Sequence, residues 1–564
     1  MKRALFTFLA GLAAPLALAA EPPAPAALPS LARLQAMTAR FAPVRLSAPL
    51  SKLPPGEQQA VARLVEAARI MDVLFLRQVS AGNAPLLMSL ARDESALGRA
   101  RLKYLLLNKG PWSRLDEDQP FVAGVGPKPE GANFYPEDAA KAQVEAWMNG
   151  LPAAEKAGAQ GFFTTIRRGP DGAFRAVPYS SEYQDELARA ARLLREAAAL
   201  TAEPTLKNFL EKRAAAFLSN DYFDSDVAWM ELDGAIEPTI GPYEVYEDKW
   251  FGYKAAFESY ITLRDEAESA KLARLGAELQ GLEDTLPIDA ALRNPKLGAL
   301  SPIRVVDIVY GAGDANAGVN TAAFNLPNDE RVVQQKGSKR TMLKNVQEAK
   351  FQKVLLPIAG VALPLAARKD VSFDAFFTHI LMHELMHGLG PSSITVGGRA
   401  TTVRQELQEF GSALEEAKAD VSGLWALQQL VDKGVLDKSL ERTMYTTFLA
   451  STFRSIRFGL NEAHGRGVAL QLNSFLDAGA FVALPDGTFR VDRVKIKAAA
   501  RDLTARIMTI QAHGDKKAAG ELLAQMAVIR PPVKRILDRL SAVPVDIDPR
   551  YAVDFPPPAP ARAR

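Results

Sequence analysis

FFTHILMHELMH, residues 376–387, decides how the second half of this chain is read. In an α-helix, side chains four residues apart project from one face, so His383 and His387 can address a single point. Gly388, Gly390 and Pro391 follow at once and end the helix. Glu384 lies beside the two imidazoles. The pattern carries weight because the chain has only five histidines in 564 residues. It has no cysteine either, so any metal site must be built from His, Asp and Glu.

A metal site that keeps one position open needs three protein ligands. The stretch LEEAKADVSGL, residues 414–424, offers Glu415, Glu416 and Asp420 on a helix whose apolar face is Leu414, Ala417, Val421 and Leu424. Glu416 follows His387 by 29 residues (416 − 387), which leaves room for a loop and a returning helix. Asp420, one turn further on, can accept a hydrogen bond from a ligand imidazole and fix its orientation. His379 shares the face of His383 but stands one turn away, so a structural role is expected of it. His513, beside Gly514 and Asp515, reads as a surface loop.

Working back towards the N-terminus, the pattern changes twice. Residues 303–310 (IRVVDIVY) alternate, are β-branched and read as a strand, followed by the glycine-rich turn GAGDANAG and a short apolar run at 322–326. Residues 353–363 (KVLLPIAGVAL), punctuated by Pro357 and Gly360, also read as more strand-like than helical. Before residue 235 the spacing is helical, as in Val61, Leu64, Ala68, Met71 and Leu74, and again in Leu187, Ala191, Leu194 and Ala198. The expected division is a signal peptide at 1–20, a Pro/Ala-rich linker at 21–55 and a mainly helical region at 56–235. A β-containing region at 236–370, a helical metal-bearing region at 371–545 and a C-terminal tail at 546–564 complete it. The fold class is α+β in two lobes.

Met1, Lys2 and Arg3 precede the apolar run 4–18, and Ala17-Leu18-Ala19 offers small residues where a signal peptidase cuts. The run is too short to span a bilayer, so export with cleavage near Ala19 or Ala20 is expected, to the periplasm or beyond, without a stable membrane anchor. Loss of Lys2 and Arg3 takes the basic residues from 68 to 66 against 65 acidic ones, a net charge of +1. A near-neutral chain gives no electrostatic case for nucleic acid as a partner. Without cysteine, an exported protein must be held together by its core.

The two motifs and their surroundings resemble the dipeptidyl peptidase III family of metallopeptidases, peptidase family M49. Glu415-Glu416-Ala417-Lys418-Ala419-Asp420 fits that family's second motif. Residues 240–248 (IGPYEVYED), 324–328 (FNLPN) and Glu462-Ala463-His464 are similar to three further family segments, in the family's order. The resemblance implies one zinc ion on His383, His387 and Glu416, with Glu415 and Asp420 behind the ligands. It implies Glu384 as the base that activates the attacking water, with His464 and Tyr246 stabilising the transition state. Glu244 would pair with a substrate ammonium, and Asn325 and Asn328 would hold peptide backbone. The expected function is release of dipeptides from the N-terminus of oligopeptides, by a bacterial secreted member; the sequence leaves the oligomeric state open, with a monomer favoured. Its fold would be a helical zinc-bearing lobe facing a mixed lobe with a β-barrel-like core, the active-site cleft between them. One departure stands out: familiar members carry HExxxH, whereas this chain has the shorter HELMH. A zinc endopeptidase, another hydrolase on the same scaffold and an idle binding protein remain the alternatives, although the retained Glu384 speaks against the last.

Overall fold

The computed structural model describes residues 28–298 and 302–553. Two apolar cores divide them into two lobes. The first core draws on residues between Leu46 and Ala349 together with Ile547. The second draws on residues between Leu275 and Val543.

In the first lobe, strand β1 (Phe41–Leu46) precedes helix α1 (Pro55–Val79), which opens with Pro55 in its first turn, where a missing N–H costs nothing. Ala60, Val61, Leu64, Ala68, Met71 and Phe75 make its buried stripe. Helix α2 (Gln184–Leu200) packs on it, and α3 (Pro204–Ser219) packs on α2. Helix α1 itself lies against a five-stranded sheet of β2 (Thr239–Pro242), β3 (Phe257–Arg264), β4 (Ile303–Gly313), β5 (Ala323–Leu326) and β6 (Lys339–Leu343). The strand order is β2-β3-β4-β6-β5, with β4 and β6 parallel and the other pairs antiparallel. The sheet is open, not a closed barrel: β2 and β5 are its two edges among the described residues.

The second lobe is helical. Helix α4 (Phe373–Met386) is capped by Ser372, which accepts from the Ala375 N–H. Helices α5 (Gly411–Asp432) and α6 (Ser439–Ile456) pack on it, and α7 (Ala463–Asp477) and α8 (Ile496–His513) pack on α5. A small third cluster joins the lobes, with Val305 of β4 and Met342 of β6 packed against Phe377 and Leu381 of α4.

Several sequence expectations need correction. Residues 353–363 are helical, not strand-like: a π-turn at Phe351–Leu355 runs into a helix at Leu356–Ala362. Pro357 stands in the first turn of that helix, and Leu355, Ile358, Ala359 and Ala362 face the core at helical spacing. This segment and residues 275–288 belong to the core of the second lobe, so the change of lobe does not fall at residue 371. The region read as linker contains a helix at Leu31–Ala39 as well as β1. The region read as a C-terminal tail contains β7 (Asp546–Tyr551), which pairs in parallel with β1. Pairing of two segments some 500 residues apart leaves no trace in local composition. The expected signal peptide lies outside the described residues. Among those described, no helix is long and apolar enough to cross a membrane.

Candidate active site

Close packing of three helices assembles the site. A Cβ on Gly423 of α5 would lie 3.3 Å from the His383 backbone nitrogen on α4. A Cβ on Gly467 of α7 would lie 3.0 Å from the Ala413 carbonyl oxygen on α5. Glycine at both positions lets the helices approach to this distance. Gly465-Arg466-Gly467 therefore lies at the start of α7, and His464 stands in the first turn.

The Nε2 atoms of His383 and His387 lie 3.1 Å apart. Glu416 Oε2 is 3.4 Å from the first and 4.0 Å from the second. On their far sides both rings are fixed by carboxylates: His383 Nδ1 to Asp420 Oδ1 at 2.7 Å, and His387 Nδ1 to Glu415 Oε1 at 2.8 Å. With Nδ1–H donating outward, the lone pairs of both Nε2 atoms and a carboxylate oxygen converge on one point. Glu416 Oε2 is buried and accepts no well-aligned hydrogen bond among the described residues, although His464 Nε2 is 3.0 Å away. A convergent, desolvated set of two imidazoles and one carboxylate fits a divalent metal ion, and these carboxylates are the partners that ligand imidazoles require. Overlapping groups of this cluster that could hold a metal are His383, Glu384 and His387, and His383, Glu416 and His464.

The electrostatics agree. Burial opposes charging His383, but Asp420 and then Glu416 outweigh it and raise the imidazole to about 10. Burial would raise the Glu416 carboxyl; the close His383 and His464 imidazoles override it and hold the group well below the usual carboxylate range. Glu415 is pulled down to about 2 against its burial by Lys418 and His387. Without a metal, a proton holds this charge set together, so proton and cation compete for the same place.

The supporting residues include several that the sequence did not announce. Gln471 Nε2 donates to Asp420 Oδ2 at 3.1 Å, and Gln511 Nε2 to Glu415 Oε2 at 3.1 Å. The buried Lys418 ammonium pairs with Glu415 at 2.8 Å and donates to the Met386 and Leu389 carbonyls at 3.0 Å, closing the C-terminal end of α4. Only Gln471 carried a signal, since it falls seven residues after His464 and so on the same helix face. Glu384 is clasped by Arg340 of β6. His379 holds the Asp420 carbonyl at 2.9 Å and packs edge-on against Phe448, a structural role as expected. His513 closes α8 rather than lying in a loop.

His464, 66% exposed, lies almost parallel to His383 with ring centres 6.4 Å apart, beside the group that could hold a metal. Tyr246, 78% exposed, makes no hydrogen bond among the described residues. Glu244 belongs to a separate acidic corner in the first lobe. Burial pushes its carboxyl up. Burial and the neighbouring Asp314 and Glu244 charges push the Glu258 carboxyl well up, and burial and the Glu247 charge push Asp314 up to about 7. Asn325 is exposed on the edge strand β5. Asn328 donates its amide to the Tyr243 carbonyl at 2.9 Å, tying β5 to the segment that carries Glu244.

The sequence profile of peptidase family M49 matches residues 175–392. A solved dipeptidyl-peptidase III from Corallococcus sp. strain EGB is 65% identical, covers 93% of this chain and 98% of its own, and superposes with a TM-score of 0.75. A solved DPP III from Caldithrix abyssi is 47% identical over 92% of this chain and 99% of its own, with a TM-score of 0.88. A plant protein of Arabidopsis thaliana named Nudix hydrolase 3 is 43% identical over 571 residues, 92% of this chain and 74% of that protein.

Proposed function

Because the chain belongs to the dipeptidyl peptidase III family, peptidase family M49, and is a metallopeptidase acting on peptides, we propose that it is a zinc-dependent exopeptidase. In this reading it releases dipeptides from the N-terminus of oligopeptides. The observation that carries the reading is the convergence of His383 Nε2, His387 Nε2 and Glu416 Oε2, each imidazole backed by a carboxylate. These three residues would hold the zinc ion, which when bound polarises the scissile carbonyl and acidifies water. Glu384, one residue from His383, takes the proton of the attacking water and passes it to the departing amine. His464 donates towards the oxygen on which negative charge develops. Tyr246, which makes no hydrogen bond among the described residues, is assigned the same task from the opposite lobe.

Substrate length is counted by the first lobe. Glu244, Glu258 and Asp314 form a desolvated acidic corner that a peptide's terminal ammonium would neutralise. Strand β5 is an edge, so its outer backbone groups are open to an added peptide strand, with Asn325 beside it. Asn328 acts one step removed, by holding the Tyr243 carbonyl and with it the Glu244 segment. The plant relative's name denotes another kind of hydrolase, but part of that protein lies outside the aligned segment. We also propose that the protein is exported, on the basic start and apolar run of residues 1–18.

The test is a pair of otherwise identical hexapeptides, one with a free N-terminus and one acetylated. The free peptide should yield dipeptides in sequence from its amino end, read by mass spectrometry. Acetylation should lower kcat/KM by roughly 100-fold, since it removes a charge-assisted contact and leaves buried carboxylates unpaired. Internal cleavage of the acetylated peptide at a comparable rate would replace this reading with that of an endopeptidase.

A further inference from the structure

We propose that Arg340 is a positioning residue for Glu384: it grips one carboxylate oxygen and leaves the other to receive the proton of the attacking water. The proposal rests on the reading of Glu384 as the base.

The pairing follows from how the lobes meet. On β6, Arg340 and Met342 are two residues apart and so point to the same face of the sheet. On α4, Phe377, Leu381 and Glu384 are spaced by four and three residues and form one stripe. Met342 packs against Phe377 and Leu381. One step further along both elements, Arg340 meets Glu384, so the ion pair is the next rung of the same contact.

Three features distinguish this contact from an ordinary surface ion pair. The two side chains are 30% and 16% exposed, too sheltered for the solvent screening that makes surface pairs negligible. Arg340 Nη1 donates to Glu384 Oε2, while Glu384 Oε1 accepts no hydrogen bond among the described residues. Both imidazoles and the Asp420 carboxylate behind them are fixed by a partner: His383 by Asp420, His387 by Glu415, Asp420 by Gln471. Glu384 has a flexible three-bond side chain, and the guanidinium is what fixes it. A planar, always-charged fork suits that task better than a lysine ammonium would.

Arg340 also stands directly opposite Asn325 in the β6–β5 pairing, which places the two side chains on the same face. The strand that holds the base therefore borders the edge strand along which the peptide is proposed to lie. Displacement of β6 relative to α4 would be felt at once by the carboxylate.

The test uses the full-length, metal-loaded protein and the variants R340M, R340K, E384Q and R340M/E384Q. Misplacing the base should lower kcat of R340M by roughly 100-fold, with KM changed by less than a few-fold and one metal per chain retained. R340K should recover part of the loss. Because Arg340 acts through Glu384, R340M should do no further harm in the E384Q background. Millimolar guanidinium should restore turnover to an Arg340→Ala variant but not to the same variant carrying E384Q. A rise in KM at constant kcat, or the same fold-loss in both backgrounds, would overturn the proposal and assign Arg340 to substrate binding or folding. Full turnover in E384Q alone would instead overturn the base itself, and it is read independently of any Arg340 variant.

Discussion

Replacing Glu384 by glutamine should lower kcat by about 10²- to 10⁴-fold, the range a positioned general base contributes. The substitution keeps the size of the side chain and one oxygen for Arg340, and removes only the ability to take a proton. Glu384 touches none of the groups that orient the imidazoles, which are held by Asp420 and Glu415. Metal content, measured by mass spectrometry, should therefore remain at one ion per chain. Substrate binding should persist too, so the variant should retain an uncleaved peptide with nearly unchanged affinity. Undiminished turnover in metal-loaded protein would remove Glu384 from the chemistry.

Removing the metal should have a larger effect, because it takes away both the organising charge and the activation of water. Turnover should fall to background on treatment with a chelator and return on addition of Zn2+. Glu416→Ala should reproduce the loss without a chelator, since it leaves two imidazoles where a catalytic ion needs three protein ligands. Stability should follow: at a free metal concentration 1,000 times Kd, linkage contributes about 4 kcal/mol to the folded state. The chelated protein and Glu416→Ala should both melt earlier than the loaded protein, and Zn2+ should raise only the former. Raised pH favours loading, because the His383 imidazole, lifted to about 10 by Asp420 and Glu416, must give up its proton to bind an ion. Turnover that survives complete removal of metal would refute the reaction proposed here.

The candidate metal site was legible in the sequence because its geometry is local. Two histidines four apart on α4 and the Glu415-Glu416 pair with Asp420 on α5 need only helical periodicity to be placed. His464 was legible only through family resemblance, because its flanking glycines look like a loop until the contact of Gly467 with the Ala413 carbonyl is seen. Arg340 could not be found this way. It lies 44 residues before Glu384, and the two meet only because Met342 seats β6 on α4. Lys418 occupies a variable place in its motif, yet it closes the end of the ligand helix from a buried position. The strand-like reading of residues 353–363 failed for a related reason. Pro357 and Gly360 resemble strand punctuation, while the helical stripe through Leu355, Ile358 and Ala362 is apolar on every side and conceals its period. The β1–β7 pairing was beyond reach, since nothing in residues 41–46 specifies a partner at 546–551.

The place of the metal itself can be observed without any assay of turnover. An anomalous difference map, recorded from crystals of the purified protein above and below the zinc edge, should contain one strong peak. It should lie about 2 Å from His383 Nε2, His387 Nε2 and the Glu416 carboxylate. No peak in protein that hydrolyses peptides, or a peak bound to other side chains, would contradict the assignment of these three residues as the catalytic metal ligands.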